Sequence, residues 1–392
     1  MQPASGLKLL IYSHFFAPSV GGTENIVLSL AEGLSEIRNA DARRQFDITL
    51  VTSTPAGSHD DGSLPFRVVR RPSAAELYRL VRQADLVHVA GPALPALILS
   101  LVARKPVIVE HHGFQTICPT GQLYMERTRV PCPGHFMAGH HHECLRCRSN
   151  GNWLTSSKLW ALTFVRRFLC QHTAANVMPT EWLGTILQLR KTRAISHGLR
   201  PTSSRRPVPT DPPKIIFQGR LVTTKGIRLL LEAALLLRTE GHNFELLVIG
   251  DGPELPALEE FVRDRVELSC CVRFARRLDP SALESAYENA SIVTVPSLGG
   301  EVFGLVVAEN MLRGLPIVAS DLGAFREIAA DTALTFRTGD AADLASKIAL
   351  LIGDPRLASR MGQQARLRIL QSYPVGRMVS EHADLYRQVI NR

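Results

Sequence analysis

Aromatic side chains are scarce in this 392-residue chain, at 6%, and no apolar run is long. The longest, Pro92 to Ala103, contains Pro95 and stops at Arg104-Lys105, far below the ~20 residues of a membrane-spanning helix. The first, Leu7 to Tyr12, leads straight into a polar loop and is too short for the apolar core of a secretory leader. No internal repeat is visible, only a loose similarity of two halves. Charged residues at 21% and apolar residues at 45% exclude disorder, collagen and coiled coil for the bulk of the chain. A cytoplasmic protein is expected, at most peripheral to the inner face of a membrane. Its seven cysteines are then expected as thiols or metal ligands.

At ~150 residues per domain the length suggests two domains. Lys and Arg outnumber Asp and Glu by 24 to 13 from Met1 to Val208, but stand at 21 to 23 from Pro209 to Arg392. The first half therefore carries a net +11 and the second −2, which together give +9. An anionic partner or membrane surface for that half would account for this, and so would arginines on solvated faces.

Short apolar runs alternate with helical patterns. Leu7–Tyr12, Ile48–Thr52, Leu86–Ala90 and Pro106–Glu110 read as buried parallel strands, with helical patterns at Glu24–Ile37 and Ala75–Gln83. The alternation restarts at Lys214–Gln218 and continues through Phe244–Ile249, Val272–Phe274, Ile292–Val295 and Pro316–Ala319. Two α/β units with parallel sheets follow, over residues 1–199 and 214–373. The Pro-rich stretch 200–213 has a linker composition. Residues 374–392 are expected to form a helix that packs back on the first unit. Residues 115–153 hold four cysteines and no clear period, so they read as an insertion held by something other than a core.

The most informative segment runs from Ser297 to Gly314 and follows a strand and its Pro296. It therefore sits at the carboxyl end of a parallel sheet, where open α/β folds bind ligands. A Gly-rich loop opens a helix expected from about Leu305 to Arg313, closed by Gly314. Loop amides and a helix N-terminus make an anion site suited to a diphosphate. Glu301 and Glu309 beside such a site would repel phosphate unless they grip hydroxyls, which points to a sugar. Arg220 and Lys225 flank the loop after the first strand of the second unit, where cations neutralise phosphates.

Together these segments resemble the retaining, nucleotide-sugar-dependent glycosyltransferases of family four, which have the GT-B fold of two Rossmann-like domains with parallel sheets facing a central cleft. The resemblance rests on Gly219-Arg220 with Lys225-Gly226, Gly250-Asp-Gly-Pro253, Pro296-Ser with Glu301-x-Phe303-Gly304, Glu309, Gly314-x-Pro316, Asp321-x-Gly323 and Glu327. In the first half it rests on Pro18-x-x-Gly21-Gly22 and on Pro106-Val-Ile-Val-x-x-His112. It implies that Arg220 and Lys225 bind the donor diphosphate, Glu309 the ribose hydroxyls, and Glu301 with the Phe303-Gly304-Leu305 backbone the donor sugar. Gly21, Gly22 and Gly250 would lie against the donor, and His112 near the scissile bond. Transfer would retain the anomeric configuration, with the departing diphosphate taking the acceptor's proton and with Arg220, Lys225 and helix amides stabilising its charge. No cofactor is required for that chemistry. The implied partners are a UDP- or GDP-sugar and an acceptor glycan or lipid-linked saccharide. Gly113 stands where the family often has Asp after the histidine, and Arg276 where it usually has Gly near the base.

Cys118, Cys132, Cys144 and Cys147 crowd one loop and end in Cys-x-x-Cys, which suggests a tetrahedral structural zinc, with an iron–sulfur cluster as the alternative. Cys170 and the Cys270-Cys271 pair read as small buried hydrophobes. A zinc-containing nucleic-acid-binding protein is the rival class. It is disfavoured by scattered basic residues, few aromatics and no recognition-helix spacing, so no nucleic-acid partner is expected. The segment Lys158–Phe168 with the basic half favours a membrane-borne acceptor, and a soluble natural-product acceptor is the other reading.

Overall fold

The computed structural model describes residues 6–18, 21–57, 59–148, 152–201 and 210–391. Most of the expected linker falls on 202–209, outside the described residues.

The first sheet is built from β1 (Leu7–Ser13), β2 (Phe46–Thr52), β3 (Arg67–Arg70), β4 (Leu86–Ala90) and β5 (Val107–Glu110). A small antiparallel hairpin, β6 (Tyr124–Met125) and β7 (Val130–Pro131), stands apart from it, and β8 (Ala175–Met178) and β9 (Thr192–Ala194) complete the sheet. Its order is β3-β2-β1-β4-β5-β8-β9, all parallel. The second sheet contains β10 (Lys214–Gln218), β11 (Glu245–Ile249), β12 (Val272–Ala275), β13 (Ile292–Val295), β14 (Ile317–Ser320) and β15 (Leu334–Phe336). Its order is β12-β11-β10-β13-β14-β15, again parallel. Each order reverses beside its first strand, between β1 and β4 and between β10 and β13, which opens a crevice at the carboxyl ends.

Central strands such as β4, β5 and β13 are buried along their whole length, as expected of parallel strands covered on both faces. Edge strands are polar outside. β3 and β9 read Arg-Val-Val-Arg and Thr-Arg-Ala, and their short polar sequences give no apolar run to detect.

The chain crosses between domains at Leu199 and returns at Pro374, side by side. Leu199 N–H donates to Tyr373 O at 2.9 Å, and Val375 N–H to Leu199 O at 3.1 Å. The last helix, Val375–Ile390, packs Met378, Val379, Ala383, Leu385 and Tyr386 into the core around β1 and the Gly22–Glu36 helix. Two details depart from expectation. Cys170 and Cys271 are buried, but Cys270 is exposed, because it follows a single-turn helix and faces solvent beside Arg238. The 115–153 stretch carries more regular structure than its missing period suggests, with the β6–β7 hairpin, a short His141–Arg146 helix and the start of the Trp153–Gln171 helix.

Candidate active site

The loops after β10 and β13 meet backbone to backbone at the reversal point. Gly226 has φ +68°, and a Cβ there would come 1.9 Å from Pro296 O, so the packing admits only glycine. Leu298 N–H donates to Thr224 O at 2.7 Å. Gly250, after β11, presses on Gly219, where an added Cβ would lie 1.9 Å from the carbonyl oxygen. The helix Leu305–Arg313 starts at Gly304 and ends at Gly314, which has φ +80°.

These loops and the Gly22–Glu36 helix of the first domain enclose an interdomain cavity of about 1000 Å³. Arg220, Gly250, Leu305 and Glu309 line it, facing Asn25 and Ser29 of the first domain. Gly22 abuts the opposite wall, since a Cβ there would come 2.5 Å from Leu305 Cδ1. Two helix N-termini, at Gly22 and Leu305, thus approach each other beside exposed Arg220. Their free amides and partial positive charge suit an anion.

Deeper in the cavity Glu309 lies near the Arg313–Glu284 ion pair, whose N–O distance is 2.5 Å. Burial pushes the Glu309 carboxyl above its usual range, Arg313 draws it back and Glu284 adds to the rise. Arg313 also stacks on the Tyr287 ring at 4.5 Å, and the Tyr287 hydroxyl donates to Gln218 Oε1 at 2.5 Å. The wall around Glu309 is therefore held by two helices, Leu305–Arg313 and Pro280–Glu288, and by the end of β10, and it presents a carboxylate able to accept from hydroxyl groups. Arg276 does not line the cavity itself but pairs with Asp251, which does, at 3.9 Å, and with Glu259 at 4.0 Å.

Glu301 and Lys225 are brought together at one end of this region. Lys225 Nζ donates to Glu301 Oε1 at 2.5 Å, and Ser297 Oγ donates to the same oxygen at 2.9 Å. Neither residue is among those lining the cavity, so Lys225 is engaged by a carboxylate rather than presented free. Phe303 is buried and packs its ring 4.9 Å from His197, which stacks on His112 at 5.2 Å and 18°.

His112 is joined to a buried cluster that the sequence did not reveal. Glu110, fully buried at the end of β5, faces His88 Nε2 at 3.1 Å, His197 Nδ1 at 3.4 Å, His112 Nε2 at 3.6 Å and His382 Nε2 at 4.0 Å. A charged residue closing an otherwise apolar strand beside two histidines was the available signal. His111, by contrast, turns to the other side and bonds Asn176 Oδ1 at 2.9 Å.

The insertion reaches the same loops. A Cβ on Gly300 would come 2.5 Å from Gln122 Oε1, and one on Gly299 would lie 3.1 Å from Gln122 O and 3.3 Å from Tyr124 Cβ. Cys118 and Cys144 pack in one core with Phe136. Burial, and then the nearby Cys118, Cys132 and Cys147 thiols, push Cys144 up to about 12. The four sulfurs are neighbours, but among the described residues no three of them lie within 4.8 Å of one another.

Residues 201–368 match the family described as "Glycosyl transferases group 1". Among curated proteins, the alpha-D-kanosaminyltransferase of Streptomyces kanamyceticus is 29% identical over 189 residues, 46% of each chain. The phosphatidyl-myo-inositol mannosyltransferase of Mycolicibacterium smegmatis is 36% identical over 124 residues, 31% of each chain. The chain thus spans less than half the length of the curated relatives it matches. Among solved structures, sucrose-phosphate synthase from Thermosynechococcus elongatus has a TM-score of 0.71 at 18% identity, covering 98% of this chain and 99% of that one. Anabaena HepE in complex with UDP-glucose has a TM-score of 0.71 at 16% identity, covering 97% of this chain and all of that one. The fold is GT-B: two Rossmann-like domains with parallel sheets on either side of a cleft.

Proposed function

We propose that this chain is a glycosyltransferase that moves a hexose-type sugar from a nucleotide-diphosphate sugar to an acceptor, with retention of configuration. The observation that carries the reading is the cavity in which Arg220 and the Leu305 helix N-terminus lie on the same wall as Glu309. The first two suit a diphosphate and the third suits ribose hydroxyls. The donor sugar would then extend toward Phe303, Gly304 and His112. As the bond to the sugar breaks, negative charge grows on the diphosphate, and preorganised Arg220 and helix amides stabilise it at no further cost of reorganisation. Lys225 reaches the diphosphate only by exchanging its contact with Glu301, and that exchange would free the carboxylate for a sugar hydroxyl.

The acceptor proposed is a glycan or lipid-linked saccharide of the cell envelope, with the chain peripheral at a membrane's inner face. The Trp153–Gln171 helix supports it. Trp153, Leu154 and Phe168 are 71%, 70% and 64% exposed, beside exposed Lys158. No helix among the described residues is long and apolar enough to cross a membrane. The second reading, a soluble natural-product acceptor, is supported by the similarity to a kanosaminyltransferase.

Cys118, Cys132, Cys144 and Cys147 would hold one structural zinc, or an iron–sulfur cluster. A cation would relieve the mutual repulsion of four gathered thiolates and fasten the hairpin that carries Gln122 and Tyr124. The role is structural, and no transfer step runs through it.

A thermal-shift panel of UDP-, GDP- and ADP-sugars tests the reading. A ligand at 100 times its dissociation constant adds ~2.7 kcal/mol of stability, so one base should stand out. No shift with any nucleotide sugar would overturn it.

A further inference from the structure

The Glu110 cluster joins every element behind His112. His88 comes from β4, Glu110 and His112 from β5 and the turn after it, and His197 from the chain just before the domain crossing. His382 and Tyr386 come from the last helix, and the Tyr386 hydroxyl lies 2.9 Å from His88 Nδ1. Outside the cluster, His111 interacts with Glu110 and His112 from the position between them, and Glu381 acts on His382 from the same helix.

Proton accounting distinguishes the four imidazoles. The Tyr386 hydroxyl can donate to His88 Nδ1, which leaves His88 Nε2–H to donate to Glu110. His382 uses its Nδ1–H on Met378 O at 2.9 Å, so its Nε2 faces Glu110 with a lone pair. Glu110 Oε1, His112 Nε2, His197 Nδ1 and His382 Nε2 are all buried without a hydrogen-bond partner. A buried carboxylate facing three such nitrogens is stabilised by a positive charge among them. Burial drives the protonation of His197 down to about 3 and lowers that of His382 as well, although Glu110 opposes it in both. His112 is the least enclosed of the cluster, with 9% of its side chain exposed, and its Nε2 lies 3.6 Å from Glu110 Oε2.

We propose that Glu110 is a positioning residue that holds His112 as an imidazolium, oriented by its stack on His197 and anchored through His88 and Tyr386 to the last helix. A cation thereby stands behind His197 and Phe303, next to the loop that opens the Leu305–Arg313 helix, fixed by elements of the first domain and by the returning chain. This rests on the glycosyltransferase reading only for its consequence, which is that the imidazolium faces the donor where leaving-group charge develops. The cluster itself does not depend on that reading.

The first test uses the intact wild-type protein, with nitrogen-15 histidine labelling and imidazole NMR across pH 5–9. The His112 signals are assigned by their loss in His112→Gln. The expected result is a doubly protonated His112 at pH 7. A neutral His112 there overturns the proposal, whether or not any variant folds. The second test compares Glu110→Gln and Glu110→Asp. In Glu110→Gln the His112 midpoint should fall by a pH unit or more, while Glu110→Asp should restore part of it. With the donor found by thermal shift, kcat for donor turnover should fall at least tenfold in Glu110→Gln, with donor Kd unchanged within twofold. The alkaline limb of the pH–rate profile should move down with the NMR midpoint. An unmoved midpoint and pH profile in a folded Glu110→Gln protein would refute the assignment. Failure of every nucleotide sugar to bind would instead refute the donor reading and leave the NMR result standing.

Discussion

The Glu327 carboxylate of the second domain accepts the backbone N–H of Trp182 in the first, at 2.8 Å. Its other oxygen accepts Glu181 N–H, also at 2.8 Å. The carboxylate therefore caps the Glu181–Leu187 helix from across the cleft, with the Trp182 indole lying over Gly323, where no Cβ would fit. Thr180 Oγ1 reinforces the seam by donating to Val302 O at 2.9 Å.

The closed arrangement should loosen when this clamp is cut. Glu327→Gln keeps one acceptor but loses the charge, and hydrogen bonds to charged groups contribute about 1.5–3 kcal/mol. A larger radius of gyration in small-angle scattering is expected, with each domain still folded by circular dichroism. An unchanged radius would show that the apolar seam alone holds closure.

Glu309 trades stability against binding. Its carboxyl is raised in the folded protein, so the stability it contributes is complete below the usual carboxylate value near 4.5 and is lost as pH rises through the raised value. Glu309→Gln should therefore melt higher than wild type at pH 7 while binding the nucleotide sugar ~10–100-fold more weakly, the cost of a charged acceptor. Lower melting together with unchanged affinity would remove Glu309 from the site.

His111 should make the protein acid-sensitive. Burial holds it neutral down to about 4. Its contribution is present above the unfolded value of about 6.5 and is lost as pH falls toward 4, at about 1.4 kcal/mol per pH unit. Urea midpoints should drop between pH 7 and pH 5 in the wild type, and drop less in His111→Gln. An equal drop in both would assign the sensitivity to the Glu110 cluster.

Metal content decides the cysteine site. Elemental analysis of purified protein should find one zinc per chain, lost in Cys144→Ser. Nucleotide binding should survive that change better than transfer does, because the insertion meets the donor loop at Gly299, Gly300 and Val302, none of which lines the cavity. Brown protein containing iron would mean a cluster, and a metal-free chain of full activity would dismiss both.

Association with anionic vesicles should weaken as salt rises, since attraction between exposed charges is screened beyond ~8–10 Å at physiological ionic strength. Phe168→Ser with Leu154→Ser should reduce it at every salt concentration. No binding at low ionic strength would favour the soluble acceptor.

Much of this was legible in the residues. Apolar runs announced β4, β10 and β13 with their observed limits, and Gly304 and Gly314 bracketed the Leu305–Arg313 helix because glycine is where a chain turns left-handed at little cost. β8 and β15, and the helix Leu94–Val102 inside the greasy stretch, went unmarked, because short buried elements lack a distinguishing period.

The sequence by itself determined two parallel α/β units, the Gly-rich loop and Gly314 that bracket the Leu305–Arg313 helix, and the residue types suited to an anion and a hydroxyl-rich ligand. Only the tertiary structure decided which of those residues meet. Lys225 is held by Glu301, while Glu309 belongs with Arg313 and Glu284. The Glu110 cluster draws on positions 88, 110, 112, 197 and 382, which no local pattern relates. The reason is physical. Periodicity records which face of an element is buried, but a buried charge selects its partners through distances set by how the sheets, the domain crossing and the last helix pack.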